Sequence, residues 1–213
     1  VYTDIDQYGE VVQIVNRDEE EFKNRSSYNV SFNYQKTFKK KDRLLTFIAT
    51  QSDRMDNEHS TIIETTSNVA LQDIEQRIFN NEGGENWLFQ TDYIQPVKNG
   101  KIEFGLKHTI QKIDDDYAVE EFNQTTNDWE YVPVFKNNVF YDEHISASYL
   151  MLGKKIMKFS AQLGVRAEFT EINTEFVNTN EVNNKNYLNL FPSAHFSYQL
   201  QKDNSLQLGY SRR

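Results

Sequence analysis

The stretch that most restricts what this chain can become is Lys155–Thr170, KIMKFSAQLGVRAEFT. Met157, Phe159, Ala161, Leu163, Val165, Ala167 and Phe169 are all apolar. Lys158, Ser160, Gln162, Gly164, Arg166, Glu168 and Thr170 interleave with them, and none is a large apolar residue. Strand side chains alternate between faces with period two. One face is therefore greasy and the other wet, with no slip across the whole stretch. Strands of soluble proteins usually run about five or six residues. A much longer amphiphilic strand is what a membrane barrel requires.

The same pattern recurs along the chain. Further strands are predicted at about Tyr28–Phe38, Arg43–Ser52, Trp87–Pro96, Lys101–Gln111, Val139–Leu152 and Leu188–Leu200, and from Ser205 onward. Apolar faces are read as Tyr28, Val30, Phe32 and Tyr34 in the first and Ile102, Phe104, Leu106 and Ile110 in the fourth. In the fifth, Val139, Tyr141, Ile145, Ala147, Tyr149 and Met151 are expected to share a face with Glu143, opposite Asp142 and His144. The Arg43–Ser52 strand splits its apolar residues across both faces, so its facing stays open. Short turns are expected at Lys39–Asp42, Lys98–Gly100, Gly153–Lys154 and Gln201–Asn204. Asn99-Gly100 accepts the positive φ of a tight hairpin. Long connections are expected at about Asp53–Glu85, Lys112–Asn138 and Asn173–Asn186.

Within those connections, Leu71, Ile74 and Ile78 stand at helical spacing. Tyr117–Phe122 and Trp129–Pro133 are expected to pair across Thr126–Asp128. Residues 1–27 read as a solvated loop with a small hairpin after a turn at Tyr8-Gly9. The acidic run Asp18–Glu21 lacks the spaced oxygens and glycine of a calcium loop. Asp114–Asp116 reads as a solvated tip. Connections that alternate short and long give the expected fold: an all-β, antiparallel up-and-down transmembrane β-barrel segment of about eight long strands. Short turns then face the periplasm and long loops the exterior.

Composition removes other classes. The formal net charge of −9 opposes a phosphate backbone, so no nucleic-acid partner is expected. Cysteine is absent, which excludes disulfides and thiol chemistry. No apolar run is long enough for a transmembrane helix. The polar mean hydropathy is no obstacle to a barrel, because only alternate strand residues meet lipid. Val1 opens in polar sequence and Arg213 falls inside an apparent strand. The chain is therefore read as an interior piece, with residues 1–213 forming part of one barrel domain.

No catalytic constellation is expected. Asp142 and His144 share a face, but no nucleophile accompanies them. The four histidines lack metal-ligand spacing, and no cofactor is expected. The polar faces supply lumen-facing candidates: Asp92, Glu103, Lys107, Asp142, His144, Lys158, Arg166 and Glu168. Ligand contact is expected in the long loops, with Trp129 and Tyr131 as candidates.

Four stretches carry a family resemblance. They are DYIQPVKNGKIEFGLKHT (Asp92–Thr109), LGVRAEFTEI (Leu163–Ile172), NYLNLFPSAHFSYQL (Asn186–Leu200) and NSLQLGYSRR (Asn204–Arg213). The chain resembles the barrel region of TonB-dependent receptors of the Bacteroidetes type, the outer-membrane β-barrel family, over most of residues 28–213. That resemblance implies a bacterial outer-membrane barrel of roughly 22 strands around an N-terminal plug. It implies import of a scarce solute rather than enzyme activity. The partners it implies are outer-membrane lipid, the plug, TonB, a small solute or oligomer and a capping surface lipoprotein. The plug, the TonB-contacting segment and the remaining strands are absent from this sequence. The alternative reading is a passive outer-membrane barrel or a surface-binding module without energy coupling.

Overall fold

A computed structural model describes residues 1–5, 7–8, 11–68, 72–201 and 204–212. Ten strands follow one another: β1 (Tyr2–Ile5), β2 (Val11–Thr37), β3 (Leu44–Thr66), β4 (Ile74–Val97), β5 (Gly100–Asn123), β6 (Asp128–Tyr131), β7 (Asn137–Ile156), β8 (Phe159–Phe176), β9 (Glu181–Gln201) and β10 (Asn204–Ser211). A short 3₁₀ turn, Pro133–Phe135, lies between β6 and β7. One sheet holds them all in the order β1-β2-β3-β4-β5-β7-β8-β9-β10, with β6 on β5. Every neighbouring pair is antiparallel, so this is an up-and-down meander that does not close on itself.

The cross-strand register fixes the two faces. One row runs Leu45–Tyr93–Phe104–Leu150–Val165–Pro192 across six strands. Two rows further toward the long hairpins, the same face carries Phe32–Ala49–Phe89–His108–Ser146–Phe169–Leu188. The opposite face carries Gln35–Thr46–Asp92–Gly105–Tyr149–Arg166–Phe191. Burial is inverted relative to a water-soluble fold. Leu163, Val165 and Leu190 are 49%, 46% and 54% exposed, whereas Ala147 and Thr170 on the polar side are 8% and 3% exposed. Contiguous exposed apolar surface on this scale marks a membrane or protein interface. The outward belt of Phe159–Phe169 carries no charge at any outward position, and the charges Arg166 and Glu168 sit on the sheltered face.

Aromatic residues border the belt at both ends, as in outer-membrane barrels. Trp87 and Phe89 stack at the long-hairpin side, and the Trp87 indole donates to Glu85 at 2.8 Å. At the turn side Arg43 lies 4.9 Å from the Phe38 ring centre and donates to the Tyr93 hydroxyl at 2.7 Å. Basic residues crowd that end: Lys39, Lys40, Lys41, Lys98, Lys154, Lys155 and Lys158.

Several expectations need correction. The long connections are mostly strand. β3, β4 and β5 have 23, 24 and 24 residues and run far beyond the belt. The outward row Asp53–Glu85–Lys112–Asp142–Asn173 marks where the apolar outward belt ends. Apolar alternation fades there, although backbone pairing continues. Cross-strand ions join the ladder, among them Arg17–Glu64 at 3.3 Å and Lys23–Glu58 at 3.4 Å, together with Arg25–Asp56 and Arg54–Glu82. Such exposed pairs contribute about 0–1 kcal/mol each. Register, rather than charge, holds these hairpins together.

Residues 11–27 are likewise the first part of β2, not a loop. Ile74 and Ile78 lie on the polar-side face of β4, not on a helix. Leu71 of that expected helix and Gly9 of the expected first turn lie outside the described residues, as do residues 202–203 of the last turn and Arg213. The β7–β8 turn is Met157-Lys158, with Met157 at φ 51°, rather than Gly153-Lys154. The expected pairing within residues 112–138 is present, with Phe122 opposite Trp129 and Asn127 in the turn at φ 55°.

Candidate functional site

The polar face of β3, β4, β5, β7, β8 and β9 forms one continuous wall at belt depth. Asp92 is at its centre. Its Oδ1 accepts from the Tyr149 hydroxyl at 2.7 Å, and its Oδ2 accepts from Gln90 Nε2 at 2.8 Å and from Thr46 Oγ1 at 3.5 Å. A carboxylate held away from bulk water needs such donors. Gly105 lies between Asp92 and Tyr149 in the register. A Cβ there would overlap the Tyr149 ring and stand 2.6 Å from Asp92 Oδ1. The missing side chain is what lets the phenol cross β5 and reach the acid. Tyr149→Phe removes one donor from Asp92. We expect it to lower barrel stability by about 1–3 kcal/mol, read as a lower urea midpoint for the refolded full-length protein.

Around this centre, Arg166 pairs with Glu168, and Lys101 with Glu103. Lys107 is in the row Gln90–Lys107–Ala147–Glu168. Among the described residues no carboxylate lies within ion-pair distance of the Lys107 ammonium. Above the belt on the same face, burial pushes the Tyr141 phenol up, and the charge of Glu143 adds to that shift. Arg17, Glu19, Arg54, Asp56 and Glu82 line this higher region.

Of the lumen-facing candidates, Asp92, Glu103, Lys107, Arg166 and Glu168 share this polar face. Asp142 and His144 do not. They lie on the opposite face, in the same β7 alternation as Leu150 and Leu152, and sit 3.0 Å apart at the edge of the belt. The reason is that both faces of β7 are comparably apolar. Its partners decide the matter: Leu150 is opposite Phe104 and Val165, which turns Ile145, Ala147, Tyr149 and Met151 inward. Lys158 is not a wall residue either. It occupies the β7–β8 turn and donates to the Leu200 carbonyl at 3.3 Å.

The loop candidates Trp129 and Tyr131 are on β6, opposite Phe122 and Glu120, on the outward side with Arg77. The Arg77 guanidinium covers the Trp129 ring at 3.8 Å, and Phe122 packs against it at 5.4 Å. Tyr131 is exposed, with the Lys136 ammonium 4.9 Å from its ring. Both aromatic rings therefore lie on the outward side of the hairpin and not on the polar face. The sequence puts Gln90 and Gly105 on the polar faces of their strands, but it does not single out Tyr149 or Thr46 as members of the wall. A glycine among large residues in the middle of a long strand is the signal that could have found the crossing. Among the described residues no group of three or more acidic or histidine side chains could hold a metal ion.

A meander of long strands with an uncharged outward belt and a charged, hydrogen-bonded inner wall is the geometry of an outer-membrane barrel. Residues 36–213 match the outer membrane protein beta-barrel family. The chain belongs to that family. Its place is the bacterial outer membrane. Among solved structures, the ferric citrate transporter FecA in its unliganded form is 12% identical, with a TM-score of 0.45 over 78% of this chain and 26% of its own length. The copper transporter OprC is 11% identical, with a TM-score of 0.45 over 98% of this chain and 38% of its own. The ferric preacinetobactin receptor BauA from Acinetobacter baumannii is 12% identical, with a TM-score of 0.48 over 92% of this chain and 30% of its own. The barrel segment thus spans well under two thirds of these chains. No curated protein matches it.

Proposed function

We propose that this barrel wall is part of a TonB-dependent outer-membrane receptor that imports a scarce solute. The observation that carries the reading is the open sheet. A small barrel of eight strands fills its interior with its own side chains. Here β1 and β10 remain at opposite ends of the sheet order, so the wall calls for a larger ring. A wide ring lined by Asp92, Lys107, Arg166 and Glu168 would leak unless something filled it. In this reading a plug domain fills the ring and TonB supplies the energy for import. Solute capture belongs to the charged inner surface above the belt, and a surface lipoprotein would cap it from outside.

The test uses the full-length receptor in its own cell. Strains lacking the receptor, or lacking TonB, are compared for uptake of a panel of ferric chelates, cobalamin, oligosaccharides and peptides. Loss of the same solute in both strains supports energised import. Uptake that survives TonB deletion but not receptor deletion favours the passive barrel.

A further inference from the structure

The outward belt is not uniformly bulky. On β7 the outward residues Ser146 and Ser148 interrupt it, and Ala167 of β8 is beside Ser148 in the register. Leu106 on one side and Phe169 on the other rise above this floor. The result is a groove of about 470 Å³ on the lipid-facing surface. Its two walls are separated by two interstrand spacings, roughly 10 Å. Toward the long hairpins it ends at polar groups. His108 Nδ1 is 3.0 Å from Ser146 Oγ, and the His108 and His144 rings are 5.8 Å apart.

We infer that this groove seats one acyl chain of an outer-leaflet lipid, with the ester or hydroxyl groups at its head meeting Ser146, His108 and His144. Three observations choose this occupant. The groove is continuous with the belt that already meets lipid. Phe169 is at the long-hairpin end of the β8 belt, which puts the groove in the outer-leaflet half. At its long-hairpin end the polar atoms of His108 and Ser146 offer partners for the head of an acyl lipid beside the apolar surface of Phe89 and Phe169. The inference rests on the membrane-embedded wall and not on solute import, so its failure leaves the import reading standing.

The experiment takes the full-length receptor from outer membranes in mild detergent and counts bound lipid by native mass spectrometry. Three proteins are compared: wild type, Ser148→Leu with Ala167→Leu, and Ala194→Leu. Ala194 is a small outward belt residue on β9, away from the groove. Wild type and Ala194→Leu are expected to retain one lipid that the filled variant loses, with occupancy falling at least about fivefold. Equal retention in all three overturns the inference. So does a wild-type dimer that the filled variant abolishes, because the occupant is then a second copy. A second measurement needs no variant. Wild type in phosphatidylethanolamine nanodiscs doped with a diazirine-tailed phosphatidylethanolamine is irradiated and digested. Adducts concentrated on the peptide carrying Ser146 and Ser148 support the seat, and uniform labelling along the belt overturns it.

Discussion

Leu163→Arg is expected to block assembly of the full-length barrel into the outer membrane. Leu163 is near the middle of the β8 belt and points outward, 49% exposed, opposite Leu152 and Ala194. A guanidinium at mid-depth on the lipid side costs about 2–4 kcal/mol. Gln162→Arg, one residue away, adds the same charge to the polar face, where water and neighbouring dipoles can solvate it. Its expected cost is within about 1 kcal/mol. Heat-modifiable migration on gels and surface protease protection read the difference, with at least roughly a tenfold loss of assembled barrel for Leu163→Arg alone. Equal effects would mean that the two faces are wrongly assigned.

Gly105→Val is expected to be nearly as damaging, through a different mechanism. The new side chain would occupy the space that the Tyr149 ring crosses and press on Asp92. Overpacking costs about 1–3 kcal/mol, and a sheltered carboxylate that loses a donor costs a similar amount. The sum is about 2–6 kcal/mol, read as a lower urea midpoint for the refolded protein. The clash has one partner, so it can be relieved. Gly105→Ala combined with Tyr149→Ala should be less damaging than the sum of the two single changes, since residues in contact do not add. Strict additivity would show that Gly105 matters for some reason other than the crossing phenol.

The two predictions differ in how visible their basis was in the sequence. The β8 face could be read directly, because apolar and polar residues interleave there without a break. The β3 facing became definite only through pairing, when Leu45, Phe47 and Ala49 aligned with Tyr93, Thr91 and Phe89. β7 misled because Tyr149 and Ala147 resemble lipid-facing residues as much as Leu150 and Leu152 do. Only its neighbours in the sheet distinguish them. The hairpin extensions were hidden for a different reason. Period-two alternation reports a difference in solvent between the faces, and above the belt both faces meet water. Glu64 and Arg17 on adjacent strands there form a ladder whose sequence looks like loop. Asp92 was legible as a sheltered charge, whereas the Tyr149–Gly105–Asp92 arrangement depends on a register that no single strand encodes.

That overshoot affects what the cell presents to its surroundings. From the outward charge Lys112 to the end of β5 at Asn123, tilted strand accounts for about 30 Å of height. The protein therefore carries a stiff parapet that stands clear of the hydrocarbon by roughly the thickness of the bilayer core itself. Antibodies, phage and proteases would meet its rim before they meet the membrane. Changes in that rim could accumulate under attack while the buried wall beneath keeps its geometry.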